Sequence, residues 1–231
     1  MDKLSPTDRI GAACGAAYVA LILVGNGIAT GNGQQSNDPT GQQVIQYADQ
    51  AAHSTVVLVG RTMEILGFVA LAFFIAWLVP TLRRAGGPAP WLSNVVLVGG
   101  LGTLAVKIAT IAPEAAVDAT RQTIDPAMAK ALYDVSGAGF VLSFLPFAIL
   151  MLGLGGAVLT SGFLGRFAGW SAIVLGIAGL AVVVMASSLD ANPMPFLLGL
   201  LWVLVASVRL AWRGPRRVRV VAADELAPAL A

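Results

Sequence analysis

The chain of 231 residues is 57% hydrophobic and only 11% charged, and its formal net charge is +2. Soluble domains carry about 25% charged residues, so this composition excludes a water-soluble globular protein. The lone Cys14 excludes an intramolecular disulfide and a multi-cysteine metal site, and the lone His53 excludes a bis-histidine haem or a histidine-rich metal centre within one chain. We therefore expect neither a metal nor another cofactor.

Six apolar segments are each long enough to cross a lipid bilayer, which requires roughly 20 residues at about 1.5 Å per residue. They lie at 10–28, 56–82, 91–112, 135–158, 169–188 and 193–212. Backbone groups in lipid must be hydrogen-bonded within the segment, so each span is predicted to be a helix. The sequence predicts an all-α, polytopic bundle in one domain, 1–221, followed by a flexible tail, 222–231.

The first span has an alternative interpretation as a secretory signal peptide. Gly27-Ile28-Ala29 resembles a small-residue cleavage site. However, the apolar run exceeds the roughly 7–15 residues of such a peptide, and Asp2 and Asp8 dilute the positive charge before it. We favour a helix that is retained.

A short amphipathic helix is predicted between the first and second spans. It follows a loop at 30–38 that is rich in Gly, Asn and Gln. Thr40-Gly41-Gln42-Gln43 fits a capping box, in which Thr40 caps the helix and Gln43 reaches back. The apolar residues after it share one helical face: Val44, Ile45, Ala48, Ala51 and Ala52. This helix is expected to lie on the outer surface, before the second span or continuous with it.

Prolines indicate where several of the spanning helices begin and end. Pro113 is predicted to end the third span, and Pro193 and Pro195 open the sixth. Asp125-Pro126 combines a capping residue with a proline at the first helical position. The fourth helix should therefore start at Pro126, well before its apolar segment.

Pro146 lies in the middle of the fourth span and should kink it, because proline removes one backbone hydrogen bond. Two interpretations are open, a packing bend and a transport hinge. We favour the bend, since proline is common in membrane helices.

The distribution of Lys and Arg predicts that both termini are cytoplasmic. With that orientation, ten of these residues lie on the inner side: Lys3, Arg9, Arg83, Arg84, Arg166, Arg209, Arg213, Arg216, Arg217 and Arg219. Only four lie on the outer side: Arg61, Lys107, Arg121 and Lys130. Four tryptophans also fall at inner span ends: Trp77, Trp91, Trp170 and Trp212. Both patterns follow the positive-inside rule and the aromatic belt, and we expect a multi-pass protein of the bacterial plasma membrane.

Five ionisable residues are predicted at similar depth in or just above the outer third of the membrane: Arg61, Glu64, Lys107, Lys130 and Asp134. Their simplest arrangement pairs Glu64 with Lys107, and Asp134 with Arg61 or Lys130. These residues form either a set of structural ion pairs or the floor of an outward-facing polar pocket. We favour the ion pairs, although intramembrane charges are functional-site hypotheses by default.

The segment 209–219 carries five arginines directly after the last span: Arg209, Arg213, Arg216, Arg217 and Arg219. We expect it to contact anionic lipid headgroups. No folded basic module is present in the sequence, so nucleic-acid binding is not expected. A homo-oligomer or a membrane-protein partner is compatible with the sequence.

Three stretches resemble uncharacterised six-helix bacterial membrane proteins, which are grouped as domains of unknown function. They are the block 47–84 with its Arg83-Arg84 stop, the segment 125–134 that leads into the fourth span, and Leu164-Gly165-Arg166-Phe167-Ala168-Gly169-Trp170. The resemblance covers about 47–180 and implies a fold and a membrane location. It implies no activity, cofactor or functional residue.

Function is open between two main classes. The leading interpretation is a non-enzymatic accessory or partner-binding membrane protein. The alternative is a small-solute or ion transporter or channel that uses Glu64 and Lys107. An intramembrane enzyme is disfavoured because the sequence shows no nucleophile–base pair, metal set or two-carboxylate constellation.

Overall fold

The computed structural model describes residues 6–31, 38–185 and 193–213, and within them the chain forms helices joined by short turns, with no strand. The helices are α1 (Pro6–Gly31), α2 (Gly41–Ala52), α3 (Thr55–Ala85), α4 (Leu92–Thr120), α5 (Pro126–Leu142), α6 (Phe144–Ser161), α7 (Arg166–Met185) and α8 (Met194–Arg213). Within the described residues, six helical segments are long and apolar enough to span a membrane, with α5 and α6 together forming one of them. The predicted all-helical bundle of six spans is confirmed. Most of the predicted loop 30–38 and the tail 222–231 lie outside the described residues.

The bundle is held by close helix contacts at small residues. A Cβ on Gly25 of α1 would lie 2.7 Å from the carbonyl oxygen of Gly60 on α3, and the reverse distance is the same. A Cβ on Gly155 of α6 would similarly lie 2.8 Å from the carbonyl oxygen of Gly169 on α7. Helices in lipid associate through van der Waals packing of this kind, since water supplies no hydrophobic driving force between them.

The fourth span is divided where Pro146 predicts a bend. Helix α5 ends at Leu142, Ser143 has a turn conformation, and α6 begins at Phe144. Proline at 146 has no N–H for the carbonyl of residue 142, so the regular ladder is interrupted one turn earlier.

The start of this span is also as predicted, because Asp125 accepts a hydrogen bond from the Ala127 N–H and Pro126 occupies the first turn.

The short helix α2 is confirmed, together with its capping box. The Gln43 N–H donates to Thr40 Oγ1 at 3.4 Å, and the Thr40 N–H donates to Gln43 Oε1 at 2.8 Å. Helix α2 precedes α3 and is separate from it, since Ser54 caps α3 by accepting from the Val57 N–H. Its apolar face packs on the last turns of α4 and the start of α5, in a small cluster of Val44, Ala48, Val117 and Ala129.

The prediction that Pro113 ends the third span is wrong for the helix, because α4 continues to Thr120. Pro113 has no N–H, which removes one hydrogen bond from the ladder. The turns beyond it are stabilised by tertiary contacts, since Val117 is buried against α2 and α5 and Asp118 pairs with Arg61. Tertiary packing therefore outweighs the local signal for a helix end.

The two ends of the bundle differ in composition. At one end, called the arginine end, Arg83 and Arg84 close α3 and Arg166 opens α7. Asp8 of α1 accepts a hydrogen bond from Trp77 Nε1 at 3.1 Å and lies 3.9 Å from Arg84. At the opposite end, called the capped end, α2 covers the helices. Helix α1 therefore begins at the arginine end. Because the described chain has six spans, an even number, α8 ends at the same end.

Candidate functional site

A cavity of about 350 Å³ opens among the helices at the capped end. We call it the polar cavity. Five spanning helices and α2 contribute to its walls. Its charged residues are Arg61, Glu64, Lys107, Glu114 and Asp118. Its uncharged polar and aromatic residues include Tyr18, Asn26, Tyr47, Phe68, Thr110, Tyr133, Phe140 and Phe196. Cavities of roughly 300–1,000 Å³ with a few convergent polar groups are typical binding sites for small molecules.

Helix α4 supplies a continuous polar stripe to this cavity. Lys107, Thr110, Glu114 and Asp118 follow each other at spacings of three and four residues, and all four line it. Such residues lie on one face of a helix. Because α4 continues past Pro113, the stripe leads from the interior of the bundle to the capped end.

Lys107 lies at the deep end of the stripe. It is only 9% exposed, and its Nζ lies 3.7 Å from the centre of the Phe140 ring and 5.0 Å from that of Phe196. These are cation–π distances. Among the described residues, no carboxylate lies within 4.0 Å of this ammonium group. The ammonium is therefore held by aromatic rings instead of a counter-ion.

The predicted direct ion pair between Glu64 and Lys107 is not formed. Both residues do face the same cavity, as their matching depths on α3 and α4 predicted. The Asn26 side chain of α1 is the hydrogen-bond partner of Glu64. The charges of Lys107 and Glu114 act on Glu64 across the cavity. The prediction assumed that two opposite charges in lipid must meet directly, but a polar neighbour and a cavity provide an alternative environment.

Glu114 is the second carboxylate of the cavity that pairs with no basic side chain among the described residues. It accepts a hydrogen bond of 2.7 Å from Ser136 Oγ on α5, and Ser136 is also 3.0 Å from the Thr110 carbonyl oxygen. Glu114 is exposed, whereas Lys107 is buried. The cavity thus leads from an exposed carboxylate at the capped end to a buried ammonium within the bundle.

Arg61 forms an ion pair with Asp118. Of the two partners predicted for Asp134, it is Lys130 that binds it, at 2.5 Å, and Lys130 also lies 2.9 Å from Asp38. Neither Lys130 nor Asp134 lines the polar cavity. Of the five predicted site residues, three therefore converge on the cavity, and two form a separate ion pair outside it.

Glu114 and Asp118 were missed by sequence reasoning, which ended the third span at Pro113. Their signal was their periodicity, since they follow Lys107 by seven and eleven residues and so share its helical face. The sequence does not place Asn26 beside Glu64, because this contact depends on how α1 crosses α3.

Helix α2 lies over the capped end. Its residues Val44, Tyr47 and Ala51 help to line the cavity there. One ion pair joins it to the end of α4, because Asp49 of α2 lies 3.4 Å from Arg121, just after α4. The backbone of Gly41 also lies against α5, where an added Cβ would clash with the Pro126 carbonyl oxygen. Access to the cavity from this end depends on the position of α2.

Within the described part of the chain, no group of three or more His, Cys, Asp or Glu residues is arranged to hold a metal ion. Glu64 and Glu114 of the cavity have instead an amide and a hydroxyl group as their hydrogen-bond partners. Such groups bind organic molecules through hydrogen bonds, charge and apolar contact.

Comparison with known proteins gives no relative, since no family model, no curated protein and no solved structure matches the chain. The resemblance to six-helix bacterial membrane proteins accordingly stays a prediction.

Proposed function

We propose that this chain is a multi-pass protein of the bacterial plasma membrane that binds a small solute in the polar cavity as a step of its transport. The observation that carries the proposal is the contrast between two groups of charges. Arg61 with Asp118, and Lys130 with Asp134, form direct ion pairs. Glu64, Lys107 and Glu114 face the cavity, and within the described part of the chain their direct contacts are neutral polar or aromatic groups.

This contrast favours a binding role because charges inside a membrane protein are costly. An ionisable side chain at the centre of a spanning helix costs about 2.5–3.5 kcal/mol on insertion scales. If Glu64 and Lys107 had a purely structural role, we would expect them to form a direct ion pair. Arg61 with Asp118, and Lys130 with Asp134, do form such pairs. The separation of Glu64 and Lys107 around a cavity is explained if a bound solute interacts with both charges.

Orientation supports a cavity that faces the outside. The arginine end carries Arg83, Arg84 and Arg166, and such basic ends are cytoplasmic under the positive-inside rule. The capped end then faces outward, and the solute would enter from that side. The arginines at 209–219 would meet anionic lipids of the inner leaflet.

The accessory role that the sequence favoured leaves the cavity and its separated charges without an explanation. It predicts that the charges of the cavity matter only for stability. It also predicts that a protein partner, and not a small molecule, remains bound during purification. The two functions are therefore distinguished by what co-purifies.

The experiment is native mass spectrometry of the protein purified from its own membranes, with and without Glu64→Gln. Asp134→Asn is the matched control, because it removes the same charge outside the cavity. We expect a small solute bound to the wild type and to Asp134→Asn, and its loss in Glu64→Gln. A protein partner retained equally in all three, with no solute in any, would instead establish the accessory role.

Access to the cavity from outside, and its occupation by the solute, are tested by labelling Thr110→Cys in a Cys14→Ser background. Thr110 lines the cavity, so an outward-open protein should react with a membrane-impermeant thiol reagent. The co-purified solute should slow this reaction. An unchanged rate in its presence would exclude the polar cavity as its site.

A further inference from the structure

The buried ammonium of Lys107 is suited to an anionic group of a ligand. An ammonium group can donate three hydrogen bonds. At 9% exposure it has two aromatic rings nearby and, within the described residues, no carboxylate within 4.0 Å. Cation–π contact stabilises the charge but provides no oxygen acceptor. A ligand carboxylate entering the cavity would supply that acceptor.

Glu64 and Glu114 are suited to a cationic group of the same ligand. Both line the cavity, and neither pairs with a basic side chain among the described residues. Each keeps one neutral donor, Asn26 for Glu64 and Ser136 for Glu114. A carboxylate accepts more hydrogen bonds than one, so an ammonium group of the ligand could bind between them.

Most of the remaining wall is apolar. Phe68, Ile22, Leu197 and Leu200 line the cavity beside the charged residues, and Phe196 stacks on Phe144 with ring centres 5.0 Å apart. Such walls favour a hydrophobic body of modest size, which a volume of about 350 Å³ accommodates.

We propose that the cavity binds a small apolar zwitterion, a molecule with one ammonium group and one carboxylate on a hydrophobic body, placed between Glu64 and Lys107. This inference rests on the proposed solute-binding function and names the substrate class. The separation of Glu64 from Lys107 carries it, because a zwitterion inserted between them meets an opposite charge on each side. An organic cation would face the ammonium of Lys107, and an organic anion would face two carboxylates; both arrangements are repulsive.

The test compares probes that share one hydrophobic body and differ only in charge. Phenylalanine, phenethylamine and hydrocinnamate form one series; leucine, isoamylamine and isocaproate form a second, aliphatic one. Binding to the purified full-length chain in lipid nanodiscs is measured by calorimetry at neutral pH. We expect the zwitterion of at least one series to bind about tenfold more tightly than both its partners.

Variants assign each charge to its residue. Lys107→Met should remove the preference for the zwitterion over the amine, and Glu64→Gln should remove its preference over the acid. Lys130→Met and Asp134→Asn, which change the ion pair outside the cavity, should leave both preferences intact. The wild-type comparison stands even if a cavity variant fails to fold.

If in both series an amine or an acid binds as tightly as its zwitterion, the zwitterion proposal is overturned and solute binding still stands. If none of the six probes binds, the inference is also wrong. Solute binding itself is then decided separately by the mass of whatever co-purifies with the wild type and is lost in Glu64→Gln.

Discussion

Charged residues of the same type have different roles at the capped end, according to what surrounds them. Asp118 and Glu114 are one helical turn apart on α4, yet Asp118 binds the guanidinium of Arg61 and Glu114 binds the hydroxyl of Ser136. Lys130 lies between two carboxylates, and Lys107 lies over two aromatic rings. The neighbours supplied by other helices, and not the residue type, divide structural from candidate functional charges.

Lys107→Met is expected to raise stability while it weakens solute binding. Methionine has a similar volume, keeps contact with the rings of Phe140 and Phe196, and removes a buried charge that has no direct counter-ion among the described residues. We expect the free energy of unfolding in detergent to rise by about 1 kcal/mol, in the range of neutralising a poorly compensated buried group. Denaturation of the purified variant measures it. A fall of similar size would show that Lys107 stabilises the bundle.

Asp118→Asn should have the opposite effect on stability. It leaves Arg61 without its carboxylate and weakens the link between α3 and the end of α4. Because the two side chains are 41% and 26% exposed, we expect a loss of only about 1 kcal/mol. Arg61→Met should add little to that loss in the double variant. Full additivity of the two single changes would contradict a direct pair.

At the scale of elements, local signals predicted where helices begin, and tertiary contacts decided how far they run. Thr40 with Gln43 and Asp125 with Pro126 satisfy their own helix ends, so short sequence patterns suffice to find them. Pro113 shows the limit, because the turns beyond it depend on α2, α3 and α5. The candidate site was predicted only in part for the same reason, since Glu114 and Asp118 join it through those extra turns.

The placement of α2 over the cavity is open to a test at Gly41. A side chain there would clash with the Pro126 carbonyl oxygen, which belongs to the helix backbone and cannot move aside. Gly41→Ala should therefore displace α2, and amides of 44–51 should exchange hydrogen faster while those of α1 and α3 are unchanged. Gly27→Ala is the matched control, because an added Cβ there meets nothing within 4 Å. Equal exchange in both variants would contradict a tight contact between α2 and α5.

At the scale of the whole molecule, the apolar segments of the sequence alone predicted the number of spans. The length and hydropathy of a segment determine whether it can cross a bilayer. The order in which helices pack was beyond the sequence. The close approach of α1 to α3 at Gly25 and Gly60, for example, is one of many contacts that small residues on the six helices would allow. The cavity results from that packing order, which brings Asn26 of α1 beside Glu64 of α3.

The direction of the bundle in the membrane determines which side the cavity faces, and it is predicted from the charges at the two ends. Pro88 lies in the loop between α3 and α4 at the arginine end, and Thr123 lies between α4 and α5 at the capped end; both are exposed. In a Cys14→Ser background, Thr123→Cys should react with an impermeant thiol reagent in intact cells, and Pro88→Cys only after permeabilisation, because basic ends are retained in the cytoplasm. The reverse pattern would place the cavity on the cytoplasmic side. Its solute would then be taken from the cell interior, and Glu114 would be reached from the cytoplasm.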